Sequence, residues 1–142
     1  MTKLTIAVVT DIHHGPNLGT KKGSEALRLL DLFGAFVREL KPDLSVEMGD
    51  RTSDSPDTTP YELMEEVGAA LRSKVPGEVV HLIGNHDLDG LTQQDNERAL
   101  NKPLASMSMD RKGFHLIFWN TNPVLDKARG FNLNPSDLDW LK

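Results

Sequence analysis

Short apolar segments alternate with longer amphipathic segments over the first half of the chain. Three runs rich in β-branched residues, each closed by turn-forming residues, predict strands at 4–9, 44–48 and 79–83. Between the first two strands, apolar positions recur with helical spacing from Ser24 to Leu40, and Pro42 ends the pattern. Between the second and third strands, Thr59-Pro60-Tyr61-Glu62 supplies an N-cap, a proline and a capping glutamate, which predicts a helix to about Lys74.

This βαβαβ pattern predicts an α/β fold with parallel strands joined by right-handed crossovers. The carboxyl ends of the three strands then lie at one edge of the sheet, where open α/β sheets bind their ligands. The residues that directly follow each strand are therefore the candidates for function.

The pattern is weaker after residue 87. A short helix is expected at 92–100, and residues 107–109 are expected to pair with 114–119 across a turn at 110–113. Asn134 and Pro135 open a last helix, but fewer than three turns follow before Lys142. We therefore expect residues 1–142 to be a single domain that is shortened at its carboxyl end.

Composition narrows the function classes. The 142 residues include no cysteine, which excludes zinc ribbons, iron–sulfur clusters and thiol nucleophiles. No apolar run approaches the roughly 18 residues of a membrane span, so we expect a soluble, cytoplasmic protein without a membrane partner. The net charge of -5 and the lack of a basic stretch argue against non-specific binding to nucleic acid.

Three turns at the ends of the predicted strands carry the candidate chemistry. They read Asp11-Ile12-His13-His14-Gly15, Gly49-Asp50-Arg51 and Gly84-Asn85-His86-Asp87. Carboxylates gathered at one edge repel one another unless cations intervene, so this arrangement predicts a metal site. Carboxylate, imidazole and amide donors suit Mn, Fe, Co or Zn. Two such ions about 3.5–4 Å apart would bind phosphate oxygens and acidify a bridging water, which indicates phosphoryl transfer.

These turns resemble the D-x-H, G-D-x and G-N-H-[DE] motifs of the calcineurin-like metallophosphoesterase superfamily. The segment Trp119-Asn120-Thr121 and the helix start ending in Asp139-Trp140-Leu141 also look like the continuation of that family. The resemblance implies a β-sandwich flanked by helices (αββα), of which this chain would form the N-terminal portion. It implies a phosphatase or phosphodiesterase that hydrolyses phosphate esters by metal-hydroxide attack at a site with two divalent ions.

The resemblance also implies a metal-binding role for four residues. Asp11 and His13 would bind the first ion, Asp50 would bridge the two ions, and Asn85 would bind the second.

The resemblance implies roles in the reaction for three further residues, and His14 is a further candidate from its place beside His13. His86 would lie beside the leaving-group oxygen, and Asp87 would orient its imidazole. Arg51 would contact a phosphate, and His14 is a candidate substrate contact or substitute ligand.

The chain departs from the family pattern in its histidines. Members complete both metal sites with histidines from later turns, whereas only His115 follows His86 here, within a predicted strand. Water, His14 or a second subunit would have to fill those places. An alternative function is therefore a truncated, catalytically weak or inactive module that self-associates. We expect a homodimer because an uncovered sheet face leaves an apolar patch, and such a dimer could rebuild the metal sites across its interface.

Overall fold

The structure is a computed structural model that describes residues 2–121, 125–126, 130–131 and 135–142. In chain order its elements are β1 (Ile6–Val9), β2 (Asn17–Leu18), β3 (Lys21–Lys22), α1 (Ala26–Leu40), β4 (Leu44–Glu47), α2 (Pro60–Lys74), β5 (Val79–His81), α3 (Gln93–Leu100), β6 (Met107–Arg111), β7 (Phe114–Phe118), β8 (Leu125–Asp126), β9 (Gly130–Phe131) and α4 (Pro135–Leu141). Single 3-10 turns precede α1 at Gly23–Glu25 and follow β5 at His86–Leu88.

The three predicted strands form a parallel sheet in the order β1-β4-β5. Ile6 lies opposite Leu44, and Val46 lies opposite Val80. The carboxyl ends of the three strands consequently share one edge, as the sequence predicts. The fold is α/β, with a parallel sheet flanked by helices.

Helices α1, α2 and α3 pack on one face of the sheet. Their core includes Leu30, Val67, Leu71 and Leu100, all 2% exposed or less, together with Ala7 of β1. Helices α2 and α3 each begin at a capping box. Thr59 and Glu62 exchange side-chain and backbone hydrogen bonds at the start of α2, and Thr92 and Asp95 do so at the start of α3. None of the described helices is both long and apolar enough to cross a membrane.

The predicted antiparallel hairpin of β6 and β7 is present, and it packs against the opposite face of the sheet. Side chains alternate along a strand, so Leu44, Val46 and Val80 turn away from the helices and meet Phe118 of β7. The hairpin does not extend over β1, where Val8 remains 52% exposed.

Helix α1 presents a second apolar surface to solvent. Leu29, Leu32, Phe36 and Leu40 lie along one side of it and are 40–55% exposed. We refer to these four residues as the α1 stripe. The α1 stripe and the buried, core-facing side of the helix together make α1 apolar over most of its circumference.

Candidate metal centre

The turns after β1 and β4 are joined by their backbones. The amide of Asp11 donates to Gly49 O (3.1 Å), that of His13 to Asp50 O (2.9 Å) and that of His14 to Arg51 O (2.8 Å). The parallel ladder thus continues beyond the strands into the D-x-H and G-D turns. The candidate ligands of both turns are carried on one hydrogen-bonded unit.

Three candidate ligands have left-handed backbone conformations. The φ angles are 53° at Asp11, 47° at His13 and 56° at Asp50. Six non-glycine residues in the described ranges have a positive φ, and these three are among them. Such conformations cost energy for residues with a Cβ and concentrate at functional sites. Half of the left-handed non-glycine residues therefore lie in the predicted site.

Two glycines allow the third turn to approach the second. A Cβ on Gly49 would collide with the amide nitrogen of Gly84, and a Cβ on Gly84 would collide with the Asp50 carboxylate. Gly49 also has φ +88°, which favours glycine. The G-D and G-N-H turns can pack this closely only when both positions lack a side chain.

The three turns bring His13, Asp50 and His86 together. Each offers one ligand atom, and these atoms lie within 4.8 Å of one another. The two imidazole rings meet edge-on with centroids 5.0 Å apart. Asp11 joins the group, because its Oδ1 lies 3.6 Å from His13 Nε2. Oδ1 of Asp50 accepts the His86 amide at 2.9 Å.

This donor set fits a divalent ion. The imidazole of His13 and the carboxylates of Asp11 and Asp50 are the kinds of ligand that borderline transition metals prefer. Nδ1 of His13 lies 3.4 Å from Ser53 Oγ, which can orient the ring while Nε2 faces Asp11. Lys21 Nζ is also 3.4 Å from Nδ1, so a cation approaches the ring on the side away from Asp11. Asn85 is half-buried beside His86, and its role as a ligand stays a prediction.

The structure gives the side chains of His14 and Arg51 partners that the sequence does not predict. His14 Nε2 lies 2.6 Å from Glu66 Oε2 on α2. The Arg51 side chain is fully buried, because two carboxylates in the interior bind it. The buried Arg51 side chain is therefore not available as a substrate contact, and the role of His14 stays a prediction.

The position of Asp87 also corrects the prediction. Its carboxylate accepts backbone N–H groups from Asp50 (3.0 Å), Arg51 (2.9 Å) and Gly84 (2.8 Å) instead of orienting the imidazole of His86. The group beside His86 Nδ1 is Asp89, whose Oδ2 lies 3.0 Å away. Asp89 is not among the residues predicted from the sequence, although its i, i+3 spacing from His86 is a signal for this contact.

A buried ion network lies beneath the cluster. Arg51 donates from Nε to Glu47 (2.8 Å) and from Nη1 to Asp87 (2.8 Å), and all three side chains are 0% exposed. His81 Nδ1 lies 3.1 Å from the same Glu47 oxygen. Glu47 is likewise not among the residues predicted from the sequence, where its signal is an ionisable residue within an apolar strand.

The two carboxylates of this network have opposite pKa shifts. Burial raises the pKa of Glu47, but the Arg51 guanidinium and His81 together outweigh burial and hold it below its usual value. Burial also raises the pKa of Asp87, and here the Arg51 charge and the backbone N–H groups do not compensate fully. The negative charge of Glu47 raises the pKa of Asp87 further, whereas the Gly49 amide helps to lower the pKa of Glu47.

The sequence was compared with known proteins. It matches the family of calcineurin-like phosphoesterases over residues 4–141, which is nearly the whole chain. No curated protein sequence matches it in direct comparison. The matched region contains all three turns and the cluster that they form. The chain therefore belongs to the calcineurin-like phosphoesterase family.

Proposed function

We propose that this protein is a metal-dependent hydrolase of phosphate esters that uses two divalent ions. The observation that carries the proposal is the convergence of His13, Asp50 and His86 at the carboxyl edge of the sheet. The family membership supports phosphoester hydrolysis as the general activity. Manganese, iron, zinc and cobalt are the candidate ions, and only the types of donor atom support them.

The proposal assigns the first ion to Asp11 and His13, the bridging position to Asp50 and the second ion to Asn85. Bound divalent ions would neutralise phosphate oxygens and make a coordinated water acidic enough to attack near neutral pH. The described residues supply fewer side chains than two complete coordination shells need. Water or a second chain would complete those shells.

His86 has a separate task in this proposal. Its Nδ1 lies 3.0 Å from Asp89 Oδ2, which can accept a hydrogen bond and orient the ring, and in the imidazolium form Nε2 carries a proton as well. From that position Nε2 can donate a hydrogen bond or a proton to the leaving-group oxygen. A positioned acid of this kind contributes roughly 10²–10⁴-fold to a rate.

The test is hydrolysis of a chromogenic phosphate monoester and diester after reconstitution with manganese. Asp50→Asn is expected to abolish both metal retention and turnover, and His86→Ala to lower turnover by at least about 100-fold. Asp110→Asn and His115→Ala are matched controls, because this exposed pair lies on the β6–β7 hairpin. Full activity in Asp50→Asn and His86→Ala would refute the proposal. In the wild type, the ratio of the monoester rate to the diester rate would assign the ester class.

The α1 stripe favours a second candidate function, a weakly active module that forms a homodimer. A row of exposed apolar side chains along one side of a helix is typical of a protein–protein interface. Arg28 and Glu39 lie on the same flank of the stripe, about three helical turns apart and on either side of its midpoint. Two α1 helices packed antiparallel about a twofold axis would place Arg28 of one chain opposite Glu39 of the other. We therefore propose a second copy of this chain as the occupant.

Sedimentation equilibrium tests this dimer. We expect the wild type to be dimeric and Phe36→Glu to be monomeric. Ile117→Glu, which changes a comparably exposed residue on the hairpin, should remain dimeric. A wild-type chain that stays monomeric at the highest concentration, or a Phe36→Glu chain that stays dimeric, contradicts the proposed interface.

A further inference from the structure

We propose that Arg51 is a positioning residue of the metal centre, which holds the backbone of the Asp50 turn through the carboxylates of Glu47 and Asp87. The inference rests on the proposed function, since it assigns a role at the same site. It replaces the phosphate contact that the sequence predicts for Arg51 with a role in the interior.

The Arg51 guanidinium donates its hydrogen bonds to partners in the interior. Its Nε and Nη2 both donate to Oε2 of Glu47, Nη1 donates to Oδ2 of Asp87, and Nη2 also donates to the carbonyl oxygen of Leu82. The side chain is 0% exposed, so a substrate cannot reach it without opening the interior. Arg51 therefore acts through other residues.

The two carboxylates hold three consecutive amides. Gly49 donates its amide to Glu47 Oε1 (2.7 Å), Asp50 to Asp87 Oδ2 (3.0 Å) and Arg51 to Asp87 Oδ1 (2.9 Å). All three amides belong to the left-handed turn that carries the proposed bridging ligand. The backbone at Asp50 is thus fixed by the side chains that Arg51 holds together.

The same network reaches the third turn. Oδ2 of Asp87 also accepts the amide of Gly84 at 2.8 Å, and the amide of His86 donates to Asp50 Oδ1 at 2.9 Å. Rotation of the Asp87 carboxylate would therefore release the turns of Asp50 and His86 together. The Asp87 carboxylate therefore contributes, together with the bond from the His86 amide to Asp50, to the distance between the second and third sets of ligands.

The shape of the guanidinium explains why arginine suits this position. A planar group with several N–H donors can bind carboxylates on two of its sides at once, whereas the lysine ammonium is a compact charge on a flexible chain. Arg51→Lys would keep the charge but hold only one of Glu47 and Asp87 well. Loss of a hydrogen-bonded partner behind metal ligands typically weakens metal binding about 10–100-fold.

The experiment measures manganese affinity in the intact chain by titration. Arg51→Lys is expected to bind manganese at least about 10-fold more weakly than the wild type while near-ultraviolet circular dichroism shows a native fold. Arg111→Lys is the matched control, because Arg111 also bridges a carboxylate and a backbone carbonyl, but on the hairpin. It should keep wild-type affinity.

A folded Arg51→Lys chain with affinity within twofold of the wild type would overturn the inference, since a merely structural role would lower stability and leave affinity unchanged. If Arg51→Lys does not fold, Glu47→Gln decides: weaker manganese binding supports the inference and unchanged binding overturns it. A wild type that binds manganese but cleaves neither ester overturns the proposed function and leaves this inference standing. A wild type that binds no manganese overturns both.

Discussion

The charge count of the buried network predicts an order of stabilities among its variants. Within this network Arg51 faces the carboxylates of Glu47 and Asp87, and all three side chains are 0% exposed. Replacing Glu47 with glutamine leaves one positive charge with one negative charge. Replacing Arg51 with methionine instead leaves Glu47 and Asp87 without their guanidinium. We therefore expect Arg51→Met to lower the free energy of unfolding much more than Glu47→Gln does.

The magnitudes follow from the contacts. Removing one partner of a buried ion pair costs about 3–5 kcal/mol, because it leaves an uncompensated charge in the interior. Glutamine at position 47 can still accept hydrogen bonds from Arg51, so the loss there is the difference between a charge-assisted and a neutral hydrogen bond, about 1–2 kcal/mol. Total stabilities of domains are about 5–15 kcal/mol, so both effects are measurable.

Urea unfolding followed by tryptophan fluorescence is a suitable assay. It should be run at pH 7 in the presence of EDTA, so that metal binding does not contribute to stability. Equal m-values are needed before the free energies are compared. A Glu47→Gln chain as destabilised as Arg51→Met would refute the charge-count argument.

Three further predictions follow from the described contacts. Hydrogen bonds from Thr59 lower the pKa of Glu62, so its stabilising contribution is present at neutral pH and is lost as the pH falls below about 4.5 through the folded pKa. Glu62→Gln should therefore reduce the acid dependence of stability, measured by urea unfolding at pH 7 and pH 3. Leu100→Ala should cost about 2–5 kcal/mol in the same assay, because Leu100 is 1% exposed in the helix-side core. Gly84→Ala should weaken manganese binding at least about 10-fold in a titration, because its Cβ would displace the Asp50 carboxylate; unchanged affinity would contradict this.

The sequence predicts the scaffold well because local signals determine it. Helical spacing defines α1, the Thr59 capping box defines the start of α2, and β-branched runs define the three strands. Parallel crossovers then place the three turns at one edge without further information. The grouping of His13, Asp50 and His86 follows from that topology.

Side-chain direction within the turns is what the sequence could not provide. The left-handed conformation at Asp50 changes where the next side chain points, and Arg51 enters the interior instead of the site. Long-range partners are equally hidden: Asp87 meets Arg51 from 36 positions away, and Glu66 reaches His14 across 52 positions. Adjacency along the chain to a motif residue is therefore a poor guide to contact with a substrate.

The three consecutive amides at Gly49, Asp50 and Arg51 have a consequence for solvent exchange. Each donates to a carboxylate that is itself 0% exposed, so its proton can leave only when the ion network opens. The exchange rates of these amides therefore report the opening equilibrium of the bridging-ligand turn. Amide exchange therefore measures how well this turn is preorganised in the protein before any ion or substrate binds.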